Sequence, residues 1–347
     1  MRSESISLLL AFFCLALIPV MIYWVIACVG HFFRKKDWPS IKDAIQQHAI
    51  EVAITIAITL VICLVFKWTG FFESQFYRPS NRDYGVAAEL GLEPEVVSFT
   101  SEDGTKLQGW FLGAENPQGT VICCHGSDRN ITYTVKNTHW LRQYGLNVFV
   151  FDYRGYGASE GTPSREGLVA DTVAAIDYTA ERDDVDRERL ILMGQSMGGQ
   201  LAINAAVLRP QASIKLVVSE ATYASQSYHI AYKLGQFGPL WLVNWGAWLL
   251  TSDAYAAEEV VGDLEAPLLI VHGTADTGVA PYHSERLMDA ASEQAEIWRF
   301  EGYGHLKIFR NEENQRRLAG AMLAKLGVQL EEGESKVKDG QAEGQGP

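Results

Sequence analysis

Cysteine is scarce. The 347 residues hold five, none in a C-x-x-C pair or at a spacing that would grip zinc. So few exclude a scaffold built on disulfides. Cys14, Cys28 and Cys63 lie in apolar runs, and Cys123 and Cys124 sit side by side in an expected buried strand, where thiols act as small apolar side chains. Cations are also short, with 29 Lys and Arg against 42 Asp and Glu and a net charge of −13. A nucleic-acid binder needs a basic face to meet phosphates, so no nucleic-acid partner is expected. No internal repeat is present, and a hydrophobic fraction of 48% excludes a mainly disordered chain. The length fits one large domain with added segments.

The first segment lacks charge. Between Ser5 and Phe33 there is no Asp, Glu, Lys or Arg, a longer run than the ~20 residues a membrane helix needs. Pro19 would kink such a helix without preventing insertion. A second run, Val52 to Phe66, is bracketed by Glu51 and Lys67. Ten of its residues are Ile, Leu, Val or Phe. At about −0.3 to −0.6 kcal/mol each they favour insertion by roughly 3–6 kcal/mol. Trp68, Phe71 and Phe72 then read as an interfacial aromatic belt. The sequence therefore predicts a membrane hairpin over 1–72, with helices at about 5–30 and 49–68. A cleaved leader is the alternative for the first run, because Val25-Ile26-Ala27-Cys28 resembles a lipoprotein cleavage box; a buried core element is the alternative for the second. Arg34, Lys35, Lys36 and Lys42 place the intervening loop in the cytoplasm, and hence the large domain on the opposite side, although Lys67, Arg78 and Arg82 pull the other way.

Residues 73–94 read as a linker, broken by Pro79, Gly85, Gly91 and Pro94. From 95 to 328, strands are expected near 95–100, 106–113, 119–124, 147–152, 189–194, 214–219, 267–272 and 295–300. Helices are expected near 131–144, 165–182, 197–208, 281–291 and 309–326. Continuous apolar strands alternating with helices predict an α/β domain, a mostly parallel sheet with helices on both faces. Residues 329–347 are polar and lack aromatics, which predicts disorder.

Gly194-Gln195-Ser196-Met197-Gly198 is a G-x-S-x-G between the strand RLILM and the helix MGGQLAINAAVL. Strand, sharp turn and helix are what a nucleophile elbow requires, with Ser196 exposed at the turn. The residue that follows it, Met197, offers one backbone N–H to an oxyanion; the turn after the third strand, CCHGSDRN, offers another at Ser127. Losing one such donor typically removes ~2.7–4 kcal/mol of transition-state stabilisation. A base and an orienting acid should follow in the order acid, then His. Asp276 follows the strand at 267–272, and His305 follows the strand at 295–300. Of the other histidines, His31 and His48 belong to the membrane hairpin, His125 and His139 precede the serine, His229 and His283 sit in expected helices, and His272 reads as a packed core residue. Glu220 is the rival acid.

The set HGSDRN, FDYRGYGASEGTPS, GQSMGG, HGTADTGV and GYGH resembles the α/β-hydrolase superfamily, and most nearly its membrane-anchored Bem46-like branch, often labelled serine aminopeptidase or prolyl-oligopeptidase-like. The similarity spans about 76–326. It implies an α/β-hydrolase fold of about eight strands, a Ser196-His305-Asp276 triad, oxyanion donors at Ser127 and Met197, and no cofactor or metal. Many relatives have one membrane helix; two is a departure.

Two further segments bear on substrate. Asp152-Tyr153-Arg154-Gly155-Tyr156-Gly157 is either a turn closed by an Asp152–Arg154 pair or a wall of the acyl pocket through Tyr156. The segment 222–262 stands where this fold inserts a lid. WLVNWGAWLL puts Trp241, Trp245 and Trp248 on one helical face, which either packs on the body or forms an apolar wall for acyl chains or bilayer. The expected activity is hydrolysis of an ester or thioester, with lipid-like acyl substrates favoured. Three readings compete: a peptidase or amidase, with Glu220 or Asp128 receiving the substrate amine; an acyltransferase; and a membrane interaction protein without catalysis.

Overall fold

The runs GTVICC, LNVFVFD and LILMGQ carry almost no charge and are buried at every position. Strands that are apolar on both faces are stable only in a layer covered from both sides. That layer is the centre of the molecule. The computed structural model describes residues 76–236, 247 and 251–330, with scattered positions between 46 and 65.

In chain order the chain forms β1 (Arg78–Pro79), β2 (Glu95–Thr100), β3 (Lys106–Leu112), β4 (Gly119–Cys124), β5 (Asp128–Arg129) and β6 (Leu146–Asp152). Then come α1 (Arg165–Ala180), β7 (Leu190–Gln195), α2 (Met197–Leu208), β8 (Ile214–Glu220) and α3 (Gln226–Gly235). The last elements are β9 (Leu268–Gly273), α4 (Tyr282–Ala290), β10 (Ala295–Phe300) and α5 (Glu312–Lys325). Eight strands form one sheet in the order β10-β9-β8-β7-β4-β6-β3-β2. From β10 to β6 neighbours are parallel; β3 and β2 are antiparallel. All eight lie where the apolar runs predict strands.

Alternate side chains of each strand feed opposite cores. Ile122 and Leu192 pack with Phe149, Phe151 and Tyr153 under α1 and α2. Val121, Ile191 and Met193 pack with Trp140, Leu318 and Met322 on the α5 side. Burying one such side chain is worth about 1.5–3 kcal/mol. Helix starts are fixed locally: the Ser164 side chain accepts from the Gly167 N–H ahead of α1, and Asn311 accepts from the Asn314 N–H ahead of α5. Because the central strands are parallel, the turns after β4, β7, β9 and β10 all emerge at one edge.

Two expectations need correction. The helix predicted over 131–144 is instead a single α turn, Ile131–Thr134, followed by 3₁₀ turns at Val135–Asn137 and His139–Tyr144. β-Branched residues crowd this stretch, and the Thr134 and Thr138 hydroxyls donate back to the carbonyls of Asn130 and Val135, competing with a continuous helix. The internal Asp152–Arg154 pair does not form either. Arg154 reaches Asp171 and Asp103, both at 2.7 Å.

Residues 78–84 of the stretch read as a linker lie against the same sheet edge. β1 pairs in parallel with β5, and Asn130 Nδ2 donates to the carbonyls of Ser80 and Arg82. The first membrane run, Trp241, Trp245, Trp248 and the tail from 331 lie outside the described residues, and the second run is represented by scattered positions alone. Among the described residues no helix is long and apolar enough to cross a membrane.

Candidate active site

Three glycines let the turn between β7 and α2 close. A Cβ on Gly194 would fall 2.3 Å from the Gly198 carbonyl oxygen, one on Gly198 2.0 Å from that of Cys124, and one on Gly199 1.8 Å from the Thr222 hydroxyl. Ser196 therefore takes φ 56°, ψ −117°, a region L-residues avoid, at about 1–3 kcal/mol. Its N–H donates to the Glu220 carbonyl at 2.8 Å, which fixes the turn against β8. The side chain stands at the N-terminal end of α2, where the helix dipole favours negative charge.

Asp276 follows β9 and is fully buried, with 0% of its side chain exposed. Its Oδ1 accepts from the N–H groups of Gly278 and Val279 at 2.7 and 2.9 Å. Its Oδ2 lies 2.8 Å from Nδ1 of His305 and 3.3 Å from Nε2 of His272. Burial pushes this carboxyl up, but the hydrogen bonds from His272 and His305 outweigh it and hold it well below the usual carboxylate range. An ionised Asp276 can only accept, so Nδ1 of His305 carries the proton and Nε2 is left with a lone pair. The His305 side chain is 32% exposed. A solvent-reachable imidazole is thus oriented by a sealed carboxylate.

Ser196 and His305 line one cleft of about 250 Å³ together with Gly126 and Ser127. A Cβ on Gly126 would lie 3.6 Å from that of Ser196, so the turn after β4 passes close to the serine. The Ser127 carbonyl is turned away and held, accepting from the Arg78 N–H at 2.8 Å and the Tyr156 hydroxyl at 3.0 Å. His125 braces the same turn from below. Its Nδ1 lies 2.7 Å from the Gly126 carbonyl, and its ring packs against Tyr153 and Tyr156. Burial pushes its pKa down to about 4.

Tyr156 is 0% exposed and its hydroxyl is committed to Ser127. It supports the turn and presents nothing to the cleft, contrary to the acyl-pocket reading. Glu220 is 1% exposed and takes its hydrogen bond from Gln195 Nε2 at 2.7 Å rather than from a histidine. Burial raises its pKa to about 7. It can neither orient His305 nor receive a substrate amine. His272 is the contact of Asp276 that sequence reasoning misses. Read as core, it is indeed buried, but its Nδ1 bonds the Ser284 hydroxyl while its Nε2 faces Asp276 and the Val279 carbonyl. Its place four residues before Asp276 is a usable signal. A hydroxyl, an imidazole and an ionised carboxylate at one cleft are the parts that nucleophilic acyl transfer needs. Among the described residues no cluster suited to a metal ion occurs.

Residues 115–252 match the family model described as serine aminopeptidase, S33. The YfhR protein of Salmonella typhi is 40% identical over 233 residues, which cover 63% of this chain and 75% of that one. A protein of Saccharomyces cerevisiae named as a membrane protein, YNL320W, is 30% identical over 217 residues, or 60% of this chain and 72% of its own. The solved structure of the Pyrococcus furiosus esterase Pf2001 superposes with a TM-score of 0.57 at 22% identity, covering 72% of this chain and 97% of the esterase. The chain belongs to the α/β-hydrolase superfamily.

Proposed function

We propose that this member of the α/β-hydrolase superfamily is a membrane-anchored serine hydrolase that cleaves carboxylic esters or thioesters through an acyl-enzyme. The observation that carries the reading is the 2.8 Å contact between His305 and the buried Asp276, at the cleft into which a strained Ser196 projects.

In this mechanism Nε2 of His305 takes the Ser196 proton as Oγ bonds the substrate carbonyl carbon. The N–H groups of Met197 and Ser127 receive the developing oxyanion. The C–O or C–S bond then breaks, and His305 returns the proton to the departing alcohol or thiol. Water attacks the acyl-serine with His305 again as base, releasing the acid and restoring Ser196. Asp276 holds the imidazole in the required tautomer throughout. No cofactor enters the scheme.

Anchoring rests on the two uncharged runs at 5–33 and 52–66, and the yeast relative's name as a membrane protein supports it. A tethered site meets lipid-like acyl groups most readily, so these are the favoured substrates. Esters of 4-nitrophenol with butyryl to palmitoyl chains test the lipid assignment and the mechanism. Hydrolysis that extends to long chains and vanishes in Ser196→Ala is expected. Hydrolysis of butyryl but never of longer esters would remove the lipid assignment, and turnover unaffected by Ser196→Ala would remove the mechanism.

A further inference from the structure

The cleft beside Ser196 carries the opposite sign to the protein. The whole chain has a net charge of −13. Yet the cleft is lined by Arg129, Lys136 and Arg310 against one carboxylate, Asp128. Asp128 is 3.4 Å from Arg129 and more exposed than it. Among the described residues no carboxylate pairs with Lys136 or Arg310.

Two of these cations are held in place. Arg129 and Lys136 both lie over the ring of Tyr133, at 3.6 and 3.4 Å from its centroid. Two like charges on one ring repel each other, and a bound anion relieves that repulsion. Arg129 itself has φ 71°, a left-handed backbone that a side chain disfavours. Pairing of β5 with β1 keeps it there. Strain and like-charge crowding maintained at the mouth of a reactive site point to a ligand that uses them.

Resting on the hydrolase reading, we infer that the substrate is an acyl ester or thioester bearing an anionic group, a carboxylate or phosphate, a few bonds from the scissile carbonyl. Lys136, Arg129 and Arg310 bind that anion. The cleft, about 250 Å³, is large enough to take such a group beside Ser196. Local cations within a negative protein also focus the field on the cleft mouth. The same charges repel the ammonium group of a peptide N-terminus, so aminopeptidase substrates are disfavoured.

Two matched pairs test this with the full-length protein in detergent. One is 1-butyrylglycerol against 1-butyrylglycerol 3-phosphate, with the anion on the alcohol side. The other is 4-nitrophenyl pentanoate against mono-4-nitrophenyl glutarate, with the anion on the acyl side. The anionic member of at least one pair is expected to have a kcat/KM ~10-fold or more higher, a preference that shrinks as salt rises. Lys136→Gln with Arg310→Gln collapses the anionic-to-neutral ratio toward one, and fluorophosphonate labelling confirms that the variant is folded. The pair that shows the preference tells which side carries the anion. Equal turnover of both members, or a ratio untouched by the variant, overturns the anion assignment and leaves the hydrolase reading standing. Turnover of none of the four, with no labelling, overturns the hydrolase reading and this inference with it.

Discussion

Nε2 of His272 lies 3.3 Å from Oδ2 of Asp276, the oxygen that also meets His305. One carboxylate is therefore held by two imidazoles, one buried and one facing the cleft. His272 is a positioning residue: it touches no reacting atom, but it helps keep Asp276 ionised and aimed. His272→Leu should lower kcat roughly 10–100-fold with KM little changed. His272→Gln, which retains a donor, should recover part of the loss. A change confined to KM would mean that His272 acts on binding instead.

Asp276→Asn keeps the shape of the buried group and can still accept from Gly278 and Val279. It removes the charge that fixes the His305 tautomer. A fall in kcat of about 10⁴-fold is expected, with thermal unfolding nearly unchanged. Loss of activity accompanied by loss of the folded state would show that Asp276 is primarily structural.

The parallel core is legible in the sequence because its strands are buried on both faces, so GTVICC and LILMGQ show unbroken apolar runs. Ser196, Asp276 and His305 are legible because parallel strands deliver their turns to one edge, which converts sequence order into proximity. His272 is hidden for a related reason. On a fully buried strand a histidine looks like core, and only the turn at 274–279, which folds Asp276 back beneath it, reveals the contact. Tyr156 is misleading because an aromatic in a glycine-rich turn can face either way; the Ser127 carbonyl decides it. Arg310 is far in sequence from Arg129 and Lys136, and the chain's path alone brings it to the same cleft.

Glycine positions separate close approach from mere permissiveness. Gly198→Ala drives a Cβ to 2.0 Å from the Cys124 carbonyl oxygen, and neither backbone can yield without moving the elbow. A destabilisation of about 1–3 kcal/mol with loss of activity is expected. At Gly320, inside α5, a Cβ would meet no atom within 4 Å. Gly320→Ala should raise stability by about 0.5–1 kcal/mol in denaturant unfolding.

Burial raises the Glu220 pKa to about 7, so the folded state binds a proton that the unfolded state releases near pH 4.5. That contribution to stability is complete below about pH 4.5 and is lost as pH rises through about 7. Glu220→Gln, which still accepts from Gln195, should match the wild type near pH 4.5 and exceed it at pH 8 by roughly 3 kcal/mol at most. Asp152, pushed by burial to about 7, titrates in the same window, so the variant removes only part of the pH dependence. Melting curves from pH 4.5 to 8 decide it. A constant gap between the two proteins would contradict the assignment.

The proposed function requires that Ser196 be an activated nucleophile. Labelling of membranes carrying the full-length protein with a fluorophosphonate, followed by mapping of the modified peptide, tests it most directly. A single adduct on Ser196 is expected, absent in Ser196→Ala and strongly slowed in His305→Ala. A folded wild-type protein that takes no label, or takes it at another residue, would contradict it.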